Sequence, residues 1–203
     1  MNKPRKIFID VGTHDGQTLE EVTKEKYGFD FILGFEPMIE QYKNVSEKFS
    51  ENKKVKIFNI ALSNKTAESF IYGDNKNMGS SLLPNKKDID NSVKQICKTF
   101  RVSHFFNTCI LESDTVFMKL NCEGSEIDIL NDLIDTKEIF KIHNVMIDFD
   151  IRKCEGMEGM EGMVIEKMKK IQFKGYSLCD DVMIGNTHQE RIANWINIVS
   201  KVI

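Results

Sequence analysis

The chain has 203 residues, of which 41% are hydrophobic and 29% charged, and its net charge is −3. This is the profile of one globular domain spanning residues 1–203, and no apolar run approaches the roughly 18 residues of a membrane span. Lysine and arginine are scattered, and pairs such as Lys86-Lys87 are interpreted as solvated surface. We therefore do not expect nucleic acid as a partner, because a phosphate backbone calls for a basic face. We do not expect a membrane as a partner either, because the chain has no apolar run of spanning length.

The cysteines indicate the compartment. Their number is odd, and no C-x-x-C spacing occurs, which disfavours both a disulfide framework and a zinc site. The amino-terminal stretch has only a short apolar run before Asp10, so it lacks the core of a signal peptide. These features predict a cytoplasmic protein. The five cysteines are Cys97, Cys109, Cys122, Cys154 and Cys179.

Short apolar runs alternate along the chain with stretches in which apolar residues recur at helical spacing. The predicted strands cover residues 6–11, 31–35, 55–62, 116–120, 144–149 and 176–179. The predicted helices cover residues 17–25, 39–49, 125–133, 164–171 and 189–202. Such alternation predicts an α/β fold, with a Rossmann-like, doubly wound and mostly parallel sheet.

An inserted segment, residues 67–111, interrupts this alternation. We expect in it an extra hairpin strand at 67–72, a polar loop around Gly79-Ser80-Ser81, an extended stretch at 93–100 and a short helix at 103–109. Two alternatives stay open, a cover over a bound substrate and a plain connection.

A triplet repeat, EGMEGMEGM, occupies residues 155–163. Glycine at every third position weakens a helix, so the repeat is predicted to form a loop that leads into the helix at Val164. A methionine-lined lip over an apolar ligand is the less favoured alternative.

Polar or acidic side chains stand at the carboxyl ends of most predicted strands. Ligands of open parallel sheets bind outside these ends, where the strand order reverses. A purely structural sheet has no need of such side chains, so we expect a binding site here. In strand order they are Asp10, Glu36, Asn121 with Glu123, and Asp148 with Asp150, whereas small residues at 61–64 close the third strand.

The turn after the first strand, in FIDVGTHDGQTLE, narrows the choice of ligand. Gly12 and Gly16 let the backbone turn tightly and let a ligand approach closely. A dinucleotide fingerprint needs further glycines where this chain has His14 and Gln17, and no P-loop lysine follows. Pyrophosphate binding is therefore disfavoured.

Two carboxylates suggest what binds instead. Asp10, at the end of the first strand, suits a ligand with a positive charge. Glu36 follows Gly16 by twenty residues, where an acid accepts hydrogen bonds from two ribose hydroxyls. A nucleoside with a cationic amino-acid tail and no phosphate meets both demands, and S-adenosylmethionine is such a ligand.

Three longer stretches carry a resemblance to a known family. They are IDVGTHDGQT at 9–18, FEPM at 35–38 and MKLNCEGSEIDIL at 118–130, with weaker matches in IALSN at 60–64 and GSSLL at 79–83. In this order they resemble the FkbM family of class I S-adenosylmethionine-dependent methyltransferases over about residues 6–150. The resemblance implies cofactor contacts at Asp10, Gly12, Thr13, His14, Gly16, Thr18, Glu36, Pro37, Ala61, Leu62, Ser80 and Asn121.

The resemblance also implies methyl transfer to a hydroxyl oxygen, most often of a sugar in a glycan. A sugar hydroxyl is weakly acidic, so a general base would help. The candidates are Glu123, Asp148 and Asp150, with Glu123 and Asp148 first because they directly follow strands. His104, on the predicted short helix, is a further candidate that is interpreted instead as a solvated structural residue. Glu126 is interpreted instead as a cap of the helix that follows.

One departure from the family's pattern keeps alternatives open. The family usually has Asp where this chain has Asn121, and an amide cannot take up a proton near neutral pH. The acceptor could be a carbohydrate or another small molecule, and a non-catalytic nucleoside-binding protein of the same fold is a further alternative. A divalent metal held by Glu123, Asp148 and Asp150 is considered but not favoured, because no specific signature supports it. The sequence does not fix the oligomeric state.

Overall fold

The computed structural model describes residues 3–73, 79–87 and 89–202. Its strands in chain order are β1 (Lys6–Val11), β2 (Phe31–Phe35), β3 (Val55–Phe58), β4 (Ala61–Ser63), β5 (Ala67–Tyr72), β6 (Lys94–Arg101), β7 (Thr115–Leu120), β8 (Ile142–Ile147) and β9 (Tyr176–Leu178). The α-helices are α1 (Gln17–Val22), α2 (Ile39–Lys48), α3 (Val102–Cys109), α4 (Glu126–Asp135), α5 (Met160–Lys170), α6 (Cys179–Val182) and α7 (His188–Val199).

Six strands form the central sheet, in the order β3-β2-β1-β7-β8-β9. Every neighbouring pair in it is parallel. Chain order runs outward from β1 on one side and outward from β7 on the other, so the strand order reverses between these two strands. This is the doubly wound arrangement, and the predicted α/β fold is confirmed.

Helices cover both faces of the sheet, and β1 shows why both are needed. Ile7, Ile9 and Val11 belong to the core on one face, while Phe8 belongs to the core on the other. A strand that is apolar on both sides loses its exposure to water only when each face is packed. Within the described residues, no helix combines the length and apolarity that crossing a bilayer requires.

The third predicted strand, residues 55–62, is wrong as a single element. The chain leaves the central sheet after Phe58, and β4 joins a second sheet of order β4-β6-β5. The Asn59 side chain, between the two strands, donates from Nδ2 to the carbonyl oxygens of Glu36 (2.9 Å) and Pro37 (3.0 Å). The apolar run continues through this bend, so the sequence pattern did not mark it.

The inserted segment builds most of that second sheet. β5 pairs antiparallel with β6, and α3 follows directly, so the expected hairpin and short helix are confirmed. Residues 74–78 and 88 of the segment lie outside the described part. Its residues 79–87 return to the main body, where the backbone of Lys87 donates to Lys153 and that of Glu155 donates to Asn85.

The triplet repeat is partly helical, which corrects the loop prediction for residues 160–163. α5 begins at Met160, after Gly159 with φ of +85°. Val164 and Met168, one turn apart, are buried against the core, and this packing outweighs the roughly 1 kcal/mol that Gly162 costs the helix. The repeat's methionines do not line the cleft described below.

Candidate functional site

A cleft opens at the carboxyl ends of β1, β2 and β7, where the strand order reverses. Its walls come from the loop after β1, the tip of β2, β4, the inserted segment and the tip of β7, together with the first turns of α1, α2 and α7. Residues that line it include Gly12, Thr13, His14, Thr18, Glu36, Pro37, Met38, Ala61, Leu62, Ser80, Leu82, Lys119, Asn121, Cys122, Glu123 and His188.

The cleft brings together ten of the twelve residues expected to contact a cofactor. Asp10 and Gly16 are the two that do not line it. Of the three candidate bases, Glu123 lines the cleft, whereas Asp148 and Asp150 do not. The ten in the wall are Gly12, Thr13, His14, Thr18, Glu36, Pro37, Ala61, Leu62, Ser80 and Asn121.

The loop after β1 is held in shape by residues with positive φ. Gly12 (+83°), His14 (+51°) and Gly16 (+80°) alternate with residues of ordinary conformation. The N–H groups of Gly12 and Thr13 both donate to the carbonyl oxygen of Phe35, at 3.1 and 3.3 Å, which ties the loop to the tip of β2.

Contacts within the chain give both glycines a further reason beside the tight turn, and the close approach of a ligand stays a prediction. A Cβ on Gly12 would lie 1.9 Å from the backbone oxygen of Asn121, and one on Gly16 would lie 3.0 Å from the Phe49 ring. Gly12 therefore lets the tips of β1 and β7 come together, and Gly16 lets α1 start close to α2.

Glu36 presents a carboxylate that is only partly satisfied by the protein. Its Oε2 accepts the N–H of His14 at 2.8 Å, and its Oε1 accepts the N–H of Met38 at 2.9 Å. Each oxygen can accept more than one hydrogen bond, so both keep capacity toward the cleft. Burial raises the pKa of Glu36, and the two backbone donors oppose that shift.

Asp10 lies behind the cleft wall, contrary to the expectation that it meets a ligand's positive charge directly. It is fully buried, and its Oδ1 accepts from Lys119 Nζ at 2.9 Å. Burial raises the pKa of Asp10, and the Lys119 ammonium opposes that shift. The cation that Asp10 faces is thus part of the chain, and Lys119 is the member of the pair that lines the cleft.

Glu123 stands at the tip of β7 in the left-handed region, with φ of +62°. Strain of this kind in a non-glycine residue is typical of functional sites. Its carboxylate pairs with Lys86 Nζ, which also donates to the Gly79 carbonyl at 2.8 Å. Burial raises the pKa of Glu123, Lys86 opposes that shift, and a hydrogen bond with Asp150 adds to it.

Lys86 was missed in the sequence, where it was interpreted as solvated surface. Its side chain is 4% exposed, and it reaches Glu123 from the inserted segment. Ser81 of the same segment donates its hydroxyl to the Glu123 carbonyl at 2.5 Å. The insertion therefore contacts the candidate base twice, and a charged pair 37 residues apart in the chain gave no local signal.

Asp148 and Asp150 lie behind the residues that line the cleft. Asp148 Oδ2 accepts from the Asn121 side chain at 3.2 Å, and Asp150 pairs with Lys153 at 2.5 Å. Burial raises the pKa of Asp148, and the nearby Asp150 carboxylate adds to it. Among the residues described, no three histidine, cysteine or acidic side chains are grouped so as to hold a metal ion.

Glu126 secures the loop between β7 and α4. It stands at the start of α4 as expected, but the cap position is Ser125, without a side-chain hydrogen bond, and Glu126 binds the preceding loop instead of capping the helix. Its Oε1 accepts the N–H groups of Cys122 and Gly124, both at 3.0 Å. The side chain is fully buried, and burial raises its pKa to about 7.

We expect Glu126 to make folding stability depend on pH. Between about pH 4.5 and 7 the folded chain holds this proton and the unfolded chain does not, so stability falls as pH rises through that window. Glu126→Gln keeps an acceptor and removes the titration. Relative to the wild type, the variant should gain about 3 kcal/mol in free energy of unfolding from pH 4.5 to pH 8. Urea denaturation across this range measures the difference; parallel curves for the two proteins would contradict it, and Glu47→Gln, at an exposed position, is the control.

The sequence matches a known protein family. A family model described as Methyltransferase FkbM domain matches residues 10–192. The crystal structure of Methyltransferase FkbM from Methylobacillus flagellatus KT aligns with 66% of this chain, at 15% identity and a TM-score of 0.41. The chain covers 30% of the length of that protein. No curated protein matches the chain significantly.

Proposed function

The chain belongs to the FkbM methyltransferase family, and on that premise we propose that it transfers a methyl group from S-adenosylmethionine to a hydroxyl oxygen of a sugar in a glycan. One arrangement carries the proposal. The Glu36 carboxylate, at the tip of β2, and the Glu123 carboxylate, at the tip of β7, open into the same cleft.

The donor and acceptor groups of the cleft fit this cofactor. Glu36 retains acceptor capacity for two vicinal ribose hydroxyls, because each of its oxygens receives one backbone N–H. Ala61 and Leu62 offer apolar surface for the adenine ring of the cofactor. When bound, S-adenosylmethionine supplies a methyl group already activated on a sulfonium, so the protein has chiefly to position the acceptor oxygen.

Glu123 is the residue to which we assign proton removal from the acceptor. It lines the cleft, and its raised pKa lies closer to a working pH near neutrality, which suits a general base. Asn121 cannot take this role, and its amide is engaged by Asp148. The hydroxyl proton of the acceptor would pass to the Glu123 carboxylate as the acceptor oxygen forms its bond to the methyl carbon and the bond from that carbon to the sulfonium sulfur breaks.

The sugar is the least constrained part of the proposal, and its support is the resemblance of the sequence motifs. A phenol, carboxylate or amine acceptor is the alternative within the same chemistry, and a non-catalytic nucleoside binder is the alternative outside it. Five free cysteines support a cytoplasmic site of action, because a reducing compartment keeps thiols unpaired.

Two measurements, made one after the other, test the proposed function. Calorimetry with S-adenosylhomocysteine should show binding, and incubation with radiolabelled S-adenosylmethionine should label one of a panel of sugars, phenols and peptides. Label on a sugar that yields a methyl ether on hydrolysis supports the proposal. Label confined to phenols or peptides would refute the sugar assignment, and absence of nucleoside binding would refute the function altogether.

Replacing Glu36 by alanine should weaken S-adenosylhomocysteine binding by roughly 1.5–3 kcal/mol, or about 10- to 150-fold, through loss of charged hydrogen bonds. Because the contact is with the ribose, methylthioadenosine should lose affinity by the same factor. Titration calorimetry of both ligands gives the comparison, with Glu47→Ala on the exposed face of α2 as the matched control. Unchanged affinity in the Glu36 variant would mean that the nucleoside lies elsewhere.

A further inference from the structure

Lys119 is a lysine buried in the wall of the cleft. It is 4% exposed, and its Nζ donates to Asp10 Oδ1 at 2.9 Å and to the Gly12 carbonyl at 3.3 Å. Among the residues that the structure describes, these are its two hydrogen-bond acceptors. An ammonium carries three N–H groups, so one donor remains, on a side chain that lines the cleft.

The position of this lysine calls for an explanation other than stability. Asp10 and Lys119 are direct partners in the parallel pairing of β1 with β7, so both point to the same face of the sheet. The residues two positions earlier on these strands, Phe8 and Phe117, belong to the apolar core of that face. Burying an ion pair costs desolvation that its attraction does not reliably recover, and apolar residues of similar size would stabilise the sheet at least as well.

The lysine also divides the cleft into two chemically different ends. Glu36 follows β2 and Lys119 lies on β7, with β1 between them. Two strand spacings put their backbones about 10 Å apart. Near β2 the cleft offers acceptors for hydroxyl groups, and near β7 it offers a charged donor that calls for an anion or another strong acceptor.

From this placement we propose that Lys119 binds the α-carboxylate at the amino-acid end of the cofactor. The proposal rests on the proposed function, since S-adenosylmethionine and S-adenosylhomocysteine carry a single anionic group, and that group is this carboxylate. Asp10 is then a positioning residue, which holds the ammonium at the wall from behind. The charge order is the reverse of the one expected from the sequence, in which Asp10 met the ligand's cationic end.

Ligand analogues test this on the unaltered protein. Titration calorimetry compares S-adenosylhomocysteine, its decarboxylated analogue and methylthioadenosine, which lacks the amino-acid tail. We expect the decarboxylated analogue to bind roughly 10- to 150-fold more weakly than S-adenosylhomocysteine, because the ammonium loses its charged acceptor. Equal affinities of these two ligands would overturn the proposal.

Variants then locate the effect. Lys119→Met should lower affinity for S-adenosylhomocysteine by a similar factor and leave methylthioadenosine within about threefold. Because Lys119→Met alone leaves Asp10 buried without its cation, the double variant Asp10→Asn, Lys119→Met is measured as well. Lys141→Met is the matched control, since Lys141 is also a mostly buried lysine, paired with Glu138 before β8. A loss shared equally by both ligands would overturn the proposal.

The outcomes separate this inference from the function beneath it. If none of the three nucleosides binds the wild type, the proposed function fails and the inference fails with it. If all three bind and removal of the carboxylate has no effect, the cofactor assignment stands and the role of Lys119 is wrong. Two results together support the proposed function and the role of Lys119. The decarboxylated analogue binds the wild type more weakly than S-adenosylhomocysteine does, and the double variant binds the two ligands with equal affinity.

Discussion

Replacement of Glu123 by glutamine should lower kcat by about a hundred- to ten-thousand-fold, the range over which a positioned general base accelerates a reaction. Affinity for S-adenosylhomocysteine should stay within about threefold, because the substitution preserves shape and leaves the Glu36 end untouched. The measurement is steady-state transfer of labelled methyl to the acceptor identified in the panel, with calorimetry on the same preparations.

The pH dependence gives this prediction a second readout. Wild-type kcat/KM should rise with pH as Glu123 ionises, since the base acts in its charged form. This rise should be lost in Glu123→Gln. Asp148→Asn is the matched control, because Asp148 also follows a strand but does not line the cleft. A larger loss of kcat in the Asp148 variant than in the Glu123 variant would assign the general base to Asp148 instead of Glu123.

Gly12→Ala should be the most damaging small substitution in the chain. The new methyl group would lie 1.9 Å from the backbone oxygen of Asn121, and the residue would have to keep φ at +83°. The contacted oxygen belongs to the backbone and not to the flexible end of a side chain, so the tips of β1 and β7 would have to separate. We expect a loss of at least about 3 kcal/mol in free energy of unfolding, together with loss of nucleoside binding.

Gly28→Ala is the matched control for this substitution. Gly28 also has positive φ, at +64°, but nothing lies within 4 Å of an added Cβ. Its cost should be the conformational one alone, roughly 1–2 kcal/mol. Urea denaturation of the two variants gives the comparison, and equal losses would show that φ rather than the contact with Asn121 dominates at Gly12.

The sequence predicted the central sheet well because its strands are short apolar runs with polar ends. It failed where apolar periodicity continued through a change of partner, as between Phe58 and Ala61, which belong to different sheets. It also failed at Met160, where local glycine content disfavours the helix that core packing at Val164 and Met168 supports.

The site was predictable to the extent that its residues follow strands directly. Glu36 and Glu123 stand in the cleft as their positions suggested. The roles of Lys119 and Lys86 were not predictable from the sequence. Strand register brings Lys119 beside Asp10, and the path of the inserted segment brings Lys86 beside Glu123. Lys119 lies 109 residues from Asp10 in the chain, and Lys86 lies 37 residues from Glu123.

The pairing of β1 with β7 also constrains the order in which the molecule can mature. During synthesis the first two strands emerge long before residue 115, and until β7 arrives Asp10 lacks Lys119, the cation that pairs with it. Contacts of such long separation in sequence form late, after a large loss of chain entropy. A nascent or partly folded chain therefore lacks one wall of the cleft, so nucleoside binding would report that β7 has paired with β1.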